Sequence, residues 1–196
     1  MVAAAKAFNH NDITKHDSDI RAGAVAIVCS IFRSCSMLSL VISKDTQYCL
    51  KILQSLYRCS HERLCASFCT DGTTLIIYLL DLVEIHYRLG KKGDVHALVL
   101  AQNVLDKLAS GAKVPLSLIK QKDELMTSLV KNISGCTGSL TMHISMKIVA
   151  SLSERSLNKQ ALFIYPGLME AIALGSSYMH QNVREESARI IMNLAV

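Results

Sequence analysis

One apolar stripe is written five times into this chain of 196 residues. It runs Ser187-Ala188-x-Ile190-Ile191-x-x-Leu194-Ala195 near the C-terminus and returns as Ser145-Met146-x-Ile148-Val149-x-x-Leu152-Ser153. Earlier versions are Ala101-Gln102-x-Val104-Leu105-x-x-Leu108-Ala109 and Cys49-Leu50-x-Ile52-Leu53-x-x-Leu56-Tyr57, with a weaker one at Ala24-Val25-x-Ile27-Val28-x-x-Ile31-Phe32. A small residue, an aliphatic three later, its neighbour, and a Leu four beyond share one face of an α-helix. The small residue is where a second backbone can approach closely. Every copy therefore predicts a helix with a face to bury, and recurrence predicts that like faces stack.

The Leu anchors at 56, 108, 152 and 194 lie 52, 44 and 42 residues apart. The last two spacings fall within the roughly 40–47 residues of helical solenoid repeats. The surplus in the first is placed in the loop Leu89-Gly90-Lys91-Lys92-Gly93-Asp94. The weak first copy stands 25 residues before the second, which suggests an incomplete, cap-like unit.

Between anchors the segments also correspond. Leu152 is followed by a polar turn, Gln160 to Tyr165, the break Pro166-Gly167, and Leu168-Met169-Glu170-Ala171-Ile172. Leu108 is followed by Lys113-Val114-Pro115, Ile119 to Asp123, and Leu125-Met126-x-x-Leu129-Val130. Leu56 is followed by His61-Glu62-Arg63, Asp71-Gly72, and an apolar run beginning at Leu75. Each unit thus reads as a long helix, a polar turn, a short helix, a break and a second helix. Glycines 72, 90, 93, 111, 135, 138, 167 and 175 fall in or beside the expected breaks, and Gly23 does not. Such punctuation fits a helical chain, because an interior glycine costs about 1 kcal/mol.

These residues carry a resemblance. Leu152-Ser153, Asn158-Lys159, Pro166-Gly167-Leu168-Met169-Glu170-Ala171-Ile172, Asn182-Val183-Arg184-Glu185-Glu186-Ser187-Ala188 and Asn193-Leu194-Ala195 together resemble an armadillo repeat. Asp19-Ile20-Arg21-Ala22-Gly23-Ala24-Val25 looks like a divergent Val-Arg helix start. The match is best over 140–196 and extends over 17–135; HEAT repeats share such helix starts. The resemblance implies an all-α, right-handed α-α superhelix of about four to five partial repeats. One domain over 17–196 is expected, with a poorly specified segment at 1–16. The apolar face of the last stripe, with nothing following it, leads to the expectation of a fragment of a longer array, or of a partner covering that helix.

Composition narrows the function. Apolar residues are 51% and mean hydropathy is +0.30, as suits helices buried on several faces. The net charge of +5 is scattered, aromatics are 5% and Trp is absent, unlike the basic stripe with stacking rings of a nucleic-acid reader. No secretory signal is evident, and seven cysteines read as reduced thiols in a cytoplasmic or nuclear protein. The stretch 23–42 is long enough to span a bilayer, but Arg33 at its centre costs about 2.5–3.5 kcal/mol, and two shorter helices explain it better.

No catalytic constellation emerges. Ser117-Leu118-Ile119-Lys120 matches S-x-x-K without its partner motifs, and no phosphate-binding glycine loop or nucleophile elbow occurs. Asp81/Glu84 and Asp123/Glu124 read as solvated faces or helix starts, and His86, His96 and His143 stand on different elements. The sharpest metal candidate is Cys59-x-His61 with Cys65 and Cys69, read more simply as a polar turn followed by core thiols. No cofactor is expected.

In the armadillo family the third helices line a concave groove that takes extended peptides, and in its nuclear-import adaptors Trp and Asn ladders clamp basic segments. Here the position before each anchor is Ser30, Ser55, Lys107, Ser151 and Asn193, so only Asn193 fits that ladder. The groove residues expected from the stripe are Lys51, Gln54, Ser55, Asn103, Asp106, Lys107, Lys147, Ser151, Arg189 and Asn193. The expected function is a non-enzymatic scaffold or adaptor holding a segment of another protein, with no small-molecule substrate. The alternatives are a membrane-associated helical protein inserted through 23–42 and a regulatory subunit that binds anionic partners.

Overall fold

A computed structural model describes residues 44–56, 71–89, 95–135 and 138–195, with scattered positions at 23–30 and 65–69. Regular elements among the described residues are helical: α1 (Lys44–Leu56), α2 (Asp71–Leu89), α3 (Val95–Ser110), a 3-10 turn (Leu116–Leu118), α4 (Lys122–Ser134), α5 (Ser139–Ser153), α6 (Ser156–Phe163), α7 (Leu168–Ser176) and α8 (Gln181–Ala195). Two rows organise them. Helices α1, α3, α5 and α8 lie each against the next, α2 packs on α4 and α4 on α7. The rows meet where α2 rests on α3, α4 on α5 and α7 on α8, while short α6 touches α5, α7 and α8.

The recurring stripe is what joins the first row. Its small residues Cys49, Ala101, Ser145 and Ser187 are all buried, as are Val104, Ile148 and Ile190; Ile52 is half-buried against the same core. The second aliphatics Leu53, Leu105 and Val149 are also buried, together with the anchors Leu108 and Leu152. Burying a Leu, Ile or Val side chain contributes about 1.5–3 kcal/mol, so the repeated stripe supplies much of the force that holds the row.

Among the described residues the unit plan is complete once. After α5 come a turn at 154–155, the eight residues of α6, the Pro166-Gly167 break and α7. Gly167 has φ +75°, the left-handed conformation that glycine adopts without a Cβ penalty, and it serves as the N-cap of α7. In the preceding unit the short helix shrinks to the single 3-10 turn after Pro115. Pro115 has no N–H to give and holds Val114 away from the α region, so no helix carries through it. Asp71-Gly72, expected as a break, forms the first residues of α2.

Gly175 lies in the last turn of α7, beside the break that follows it, and it is buried. A Cβ there would meet Met146 Cε and lie 2.5 Å from Ser187 Oγ. This glycine exists for close helix approach: α7, α5 and α8 converge on it.

Of the weak first stripe, Val28 is buried and Ile27 is exposed, the reverse of equal burial for the two aliphatics. Val25, Ile31 and Phe32 lie outside the described residues, as do the segment 1–16 and most of 23–42. Among the described residues, no helix is long and apolar enough to cross a membrane.

Candidate partner-binding surface

The residues expected to line the groove come from the polar positions between stripe positions, so the packing of α1, α3, α5 and α8 decides where they point. Lys51, Asn103 and Lys107 are exposed, and Gln54 is half-buried. Lys51 Nζ lies 5.9 Å from the Tyr48 ring centroid, within cation–π range. The side chain of Ser55 lies outside the described residues.

The remaining candidates are brought together, but largely to bond one another across helix seams. Lys147 Nζ of α5 sits 2.6 Å from Asp106 Oδ1 of α3. Arg189 of α8 lies 3.1 Å from Glu186 Oε2 on its own helix and 3.8 Å from Glu154 Oε1 at the end of α5. Glu154 in turn holds Lys113 Nζ at 2.7 Å. Asn193 Nδ2 donates to Ser153 Oγ at 2.9 Å and to the Ala150 carbonyl at 3.3 Å. The expectation that Ser151 is exposed is overturned: it is only 3% accessible. The Arg189 guanidinium reaches over from α8 and lies 3.4 Å from its Oγ, so Ser151 belongs to the seam and not to the surface.

Two residues outside the expected groove set join this cluster. His143, one turn before Lys147 on α5, has its imidazole pKa pushed down, chiefly by burial and further by Lys147; Glu186, Asp106 and Glu185 oppose that shift. The Glu186 side chain is mostly buried against Arg189. The i, i+4 spacing of His143 and Lys147 was legible, but nothing local showed that acids of α3 and α8 would face them. Arg184 donates from Nη1 to the Tyr178 and Met179 carbonyls at 2.8 Å each. It ties the α7–α8 loop to the start of α8.

The other sequence candidates have structural occupations. Asp123 and Glu124 are exposed in the first turn of α4, where negative charge suits the helix dipole. Glu84, expected on a solvated face, is 13% accessible and caps α5 from α2. Its Oε2 accepts the Gly138 N–H at 2.9 Å and the Thr141 hydroxyl at 3.2 Å, while Oε1 accepts Arg88 Nε at 2.9 Å. Burial pushes the Glu84 carboxyl up, but the hydrogen bonds from Gly138, Arg88 and Thr141 outweigh it and leave the pKa lowered. The neighbouring Asp81 goes the other way: burial and Glu84 raise it, only partly offset by Lys131.

A pH dependence follows from Glu84. Because its folded-state pKa is depressed, its stabilisation is present above the unfolded carboxyl value of about 4.3 and disappears as pH falls through the folded value. Urea midpoints measured between pH 3 and 7 should therefore rise more steeply for the native chain than for Glu84→Gln. Parallel curves would show that the cap carries no charge-dependent stability.

Of the metal candidates, Cys59 and His61 lie outside the described residues. Cys65 and Cys69 are half-buried and packed against the core, and burial, then Cys65, raises the Cys69 thiol above its ordinary value. Among the described residues, no three His, Cys, Asp or Glu side chains converge as a metal site. Surface clefts include one of 480 Å³ lined by Lys159, Met192, Asn193 and Ala195, and one of 280 Å³ that includes Leu116, Met126, Ile164 and Tyr165. Ser117 and Lys120 are exposed around the 3-10 turn and belong to neither cleft.

Comparison of the chain with known protein families, with curated proteins and with solved structures yields no match in any of the three.

Proposed function

We propose that this chain is a non-enzymatic protein-interaction scaffold: a right-handed, armadillo-like α-α superhelix whose third-helix row takes an extended segment of another protein. The observation that carries the reading is the equivalence of four helices. In α1, α3, α5 and α8 the same small stripe position is buried against the neighbours, and the four helices stand side by side in chain order. Such a row repeats one polar position per helix, at Lys51, Asn103, Lys147 and Arg189, and neighbouring helix axes lie about 8–10 Å apart. An extended segment spans that interval with about three residues, so successive rungs can meet successive side chains of a partner.

The pairing found on the surface refines the reading. Lys147, Asp106, Arg189 and Asn193 already hold neighbouring helices together. The groups left to engage a partner directly are then Lys51, Asn103 and Lys107 on α1 and α3, with Gln54 at their edge. The seven cysteines, read as reduced thiols, suit a reducing compartment, the cytoplasm or nucleus.

Selection of a displayed library of extended peptides against the full chain tests the proposal. Enriched peptides should lose at least tenfold in affinity when Lys51→Glu, Asn103→Ala and Lys107→Glu are combined, with the melting temperature unchanged because all three side chains are exposed. Failure to enrich any peptide, or binding indifferent to the triple variant, rejects the groove assignment.

A further inference from the structure

The charges along the row of α1, α3, α5 and α8 are unevenly paired, and the imbalance bears on what kind of segment the groove accepts. The second residue after each small stripe position is Lys51, Asn103, Lys147 and Arg189: three cations and an amide on successive helices, with no acid among them. Lys107 adds a further cation, one turn beyond Asn103 on α3. The carboxylates nearest to this row are already engaged. Asp106 Oδ1 lies 2.6 Å from Lys147 Nζ, Glu154 Oε2 lies 2.7 Å from Lys113 Nζ, and Glu186 Oε2 lies 3.1 Å from Arg189 Nη1. Glu185 Oε1 accepts from Gln181 Nε2 at 2.6 Å. Lys51 and Lys107, by contrast, are exposed, and neither forms an ion pair with a carboxylate among the described residues. The Tyr48 ring beside Lys51 leaves its charge unneutralised.

A Lys- or Arg-rich segment laid along α1 and α3 would therefore meet exposed like charges and find the nearby acids held by other bases. An acidic one would meet two ammonium groups that need give up nothing but water. We infer that the partner segment is acidic, with Asp or Glu side chains facing Lys51 and Lys107. The inference rests on the groove reading proposed above and adds the chemistry of its occupant, opposite in sign to the basic segments of the import adaptors. The two lysines stand one rung and one helical turn apart, a diagonal of roughly 10–12 Å. Carboxylates about four positions apart lie on the same side of an extended chain and span that diagonal.

The probes are the peptides that a displayed library of extended segments yields against the full chain. The enriched pool should carry Asp and Glu at least threefold above the unselected library, with acidic pairs about four positions apart. Synthetic copies, titrated by fluorescence polarisation, should lose at least tenfold in affinity between roughly 50 and 500 mM NaCl, as exposed ion pairs do when screened. Lys51→Glu/Lys107→Glu should weaken them at least tenfold and enrich basic peptides in their place, with the melting temperature unchanged. Peptides that enrich and are lost in the Lys51→Glu/Asn103→Ala/Lys107→Glu chain, yet carry no excess of acids, overturn this inference and leave the groove reading standing; a library that yields no peptide overturns both. The inference also falls if a single-stranded oligonucleotide binds through the same lysines more tightly than every peptide. It falls equally if zero-length carboxyl–amine cross-linking of the chain alone joins Lys51 or Lys107 to an acid of residues 1–43, which makes the occupant a segment of this chain.

Discussion

Asn158→Leu should lower the unfolding free energy by about 3–5 kcal/mol, the cost of leaving two to three buried backbone groups without partners at roughly 1–3 kcal/mol each. Asn158 is buried in the first turn of α6. Its Oδ1 accepts the Leu116 N–H at 2.8 Å, and its Nδ2 donates to the Val114 and Leu152 carbonyls, both at 2.8 Å. One side chain thereby pins the end of α5, the start of α6 and the loop that follows α3. Leucine keeps the branched heavy-atom shape and removes all three bonds, so no cavity confuses the result.

Leu152 O also receives the Arg155 N–H, which leaves Val114 O and Leu116 N as the groups that suffer most. Asn158→Asp adds a second, differently signed readout. The carboxylate would still accept from Leu116 but would face two carbonyl oxygens, so burial and repulsion raise its folded pKa. Stability of that variant should therefore be greatest below the unfolded carboxyl value of about 3.9 and fall as pH rises. Chemical denaturation followed by circular dichroism measures both; a loss of less than about 1 kcal/mol for Asn158→Leu would mean that water replaces the amide at no great cost.

Gly175→Val is the other large effect, an expected loss of about 3 kcal/mol or more from overpacking and backbone displacement. The intrinsic helix scale argues the opposite for Gly175→Ala, a gain of about 1 kcal/mol in a helix interior. Geometry decides against the scale. Ser187 Oγ, 2.5 Å from where the new Cβ would sit, belongs to a short side chain that donates to the Val183 carbonyl and has little room to swing. Met146 is flexible in principle but fully buried, so its terminal methyl has few places to go. We expect Gly175→Ala to lose about 1–3 kcal/mol despite its better propensity, and to couple non-additively with Met146→Ala, which removes one of the colliding groups. Gly138 supplies the contrast. A Cβ there meets the Tyr87 ring at 2.7 Å, but that ring is 59% exposed and can rotate into solvent. Gly138→Ala should accordingly cost much less. If Gly175→Ala instead stabilises the chain, the close approach of α5, α7 and α8 is not as tight as described.

How much of this was legible can be judged residue by residue. Val104, Ile148 and Ile190 could be assigned to one buried face from spacing alone, and Pro166-Gly167 to a break, because helical period and backbone preference are properties of neighbouring residues. The short helix expected after Leu108 failed for an equally local reason, Pro115. The close contact at Gly175 was not legible: a glycine that ends a helix and one that lets two helices touch are the same letter. Nor could the groove residues be sorted, since Ser151 and Lys107 occupy the same stripe position in different copies, yet one lies beneath Arg189 and the other faces solvent.

The consecutive order of residues thus determined which segments are helical, which face each helix buries, and that the faces are alike. Only the assembled fold decided that Asn158 joins the end of α5 to the loop after α3, that Glu84 caps α5, and that Lys147 and Arg189 are spent on neighbouring helices. The physical reason is range. Periodicity acts over a few residues along one helix, whereas these bonds join groups about 40 to 55 positions apart and exist only once the helices have stacked.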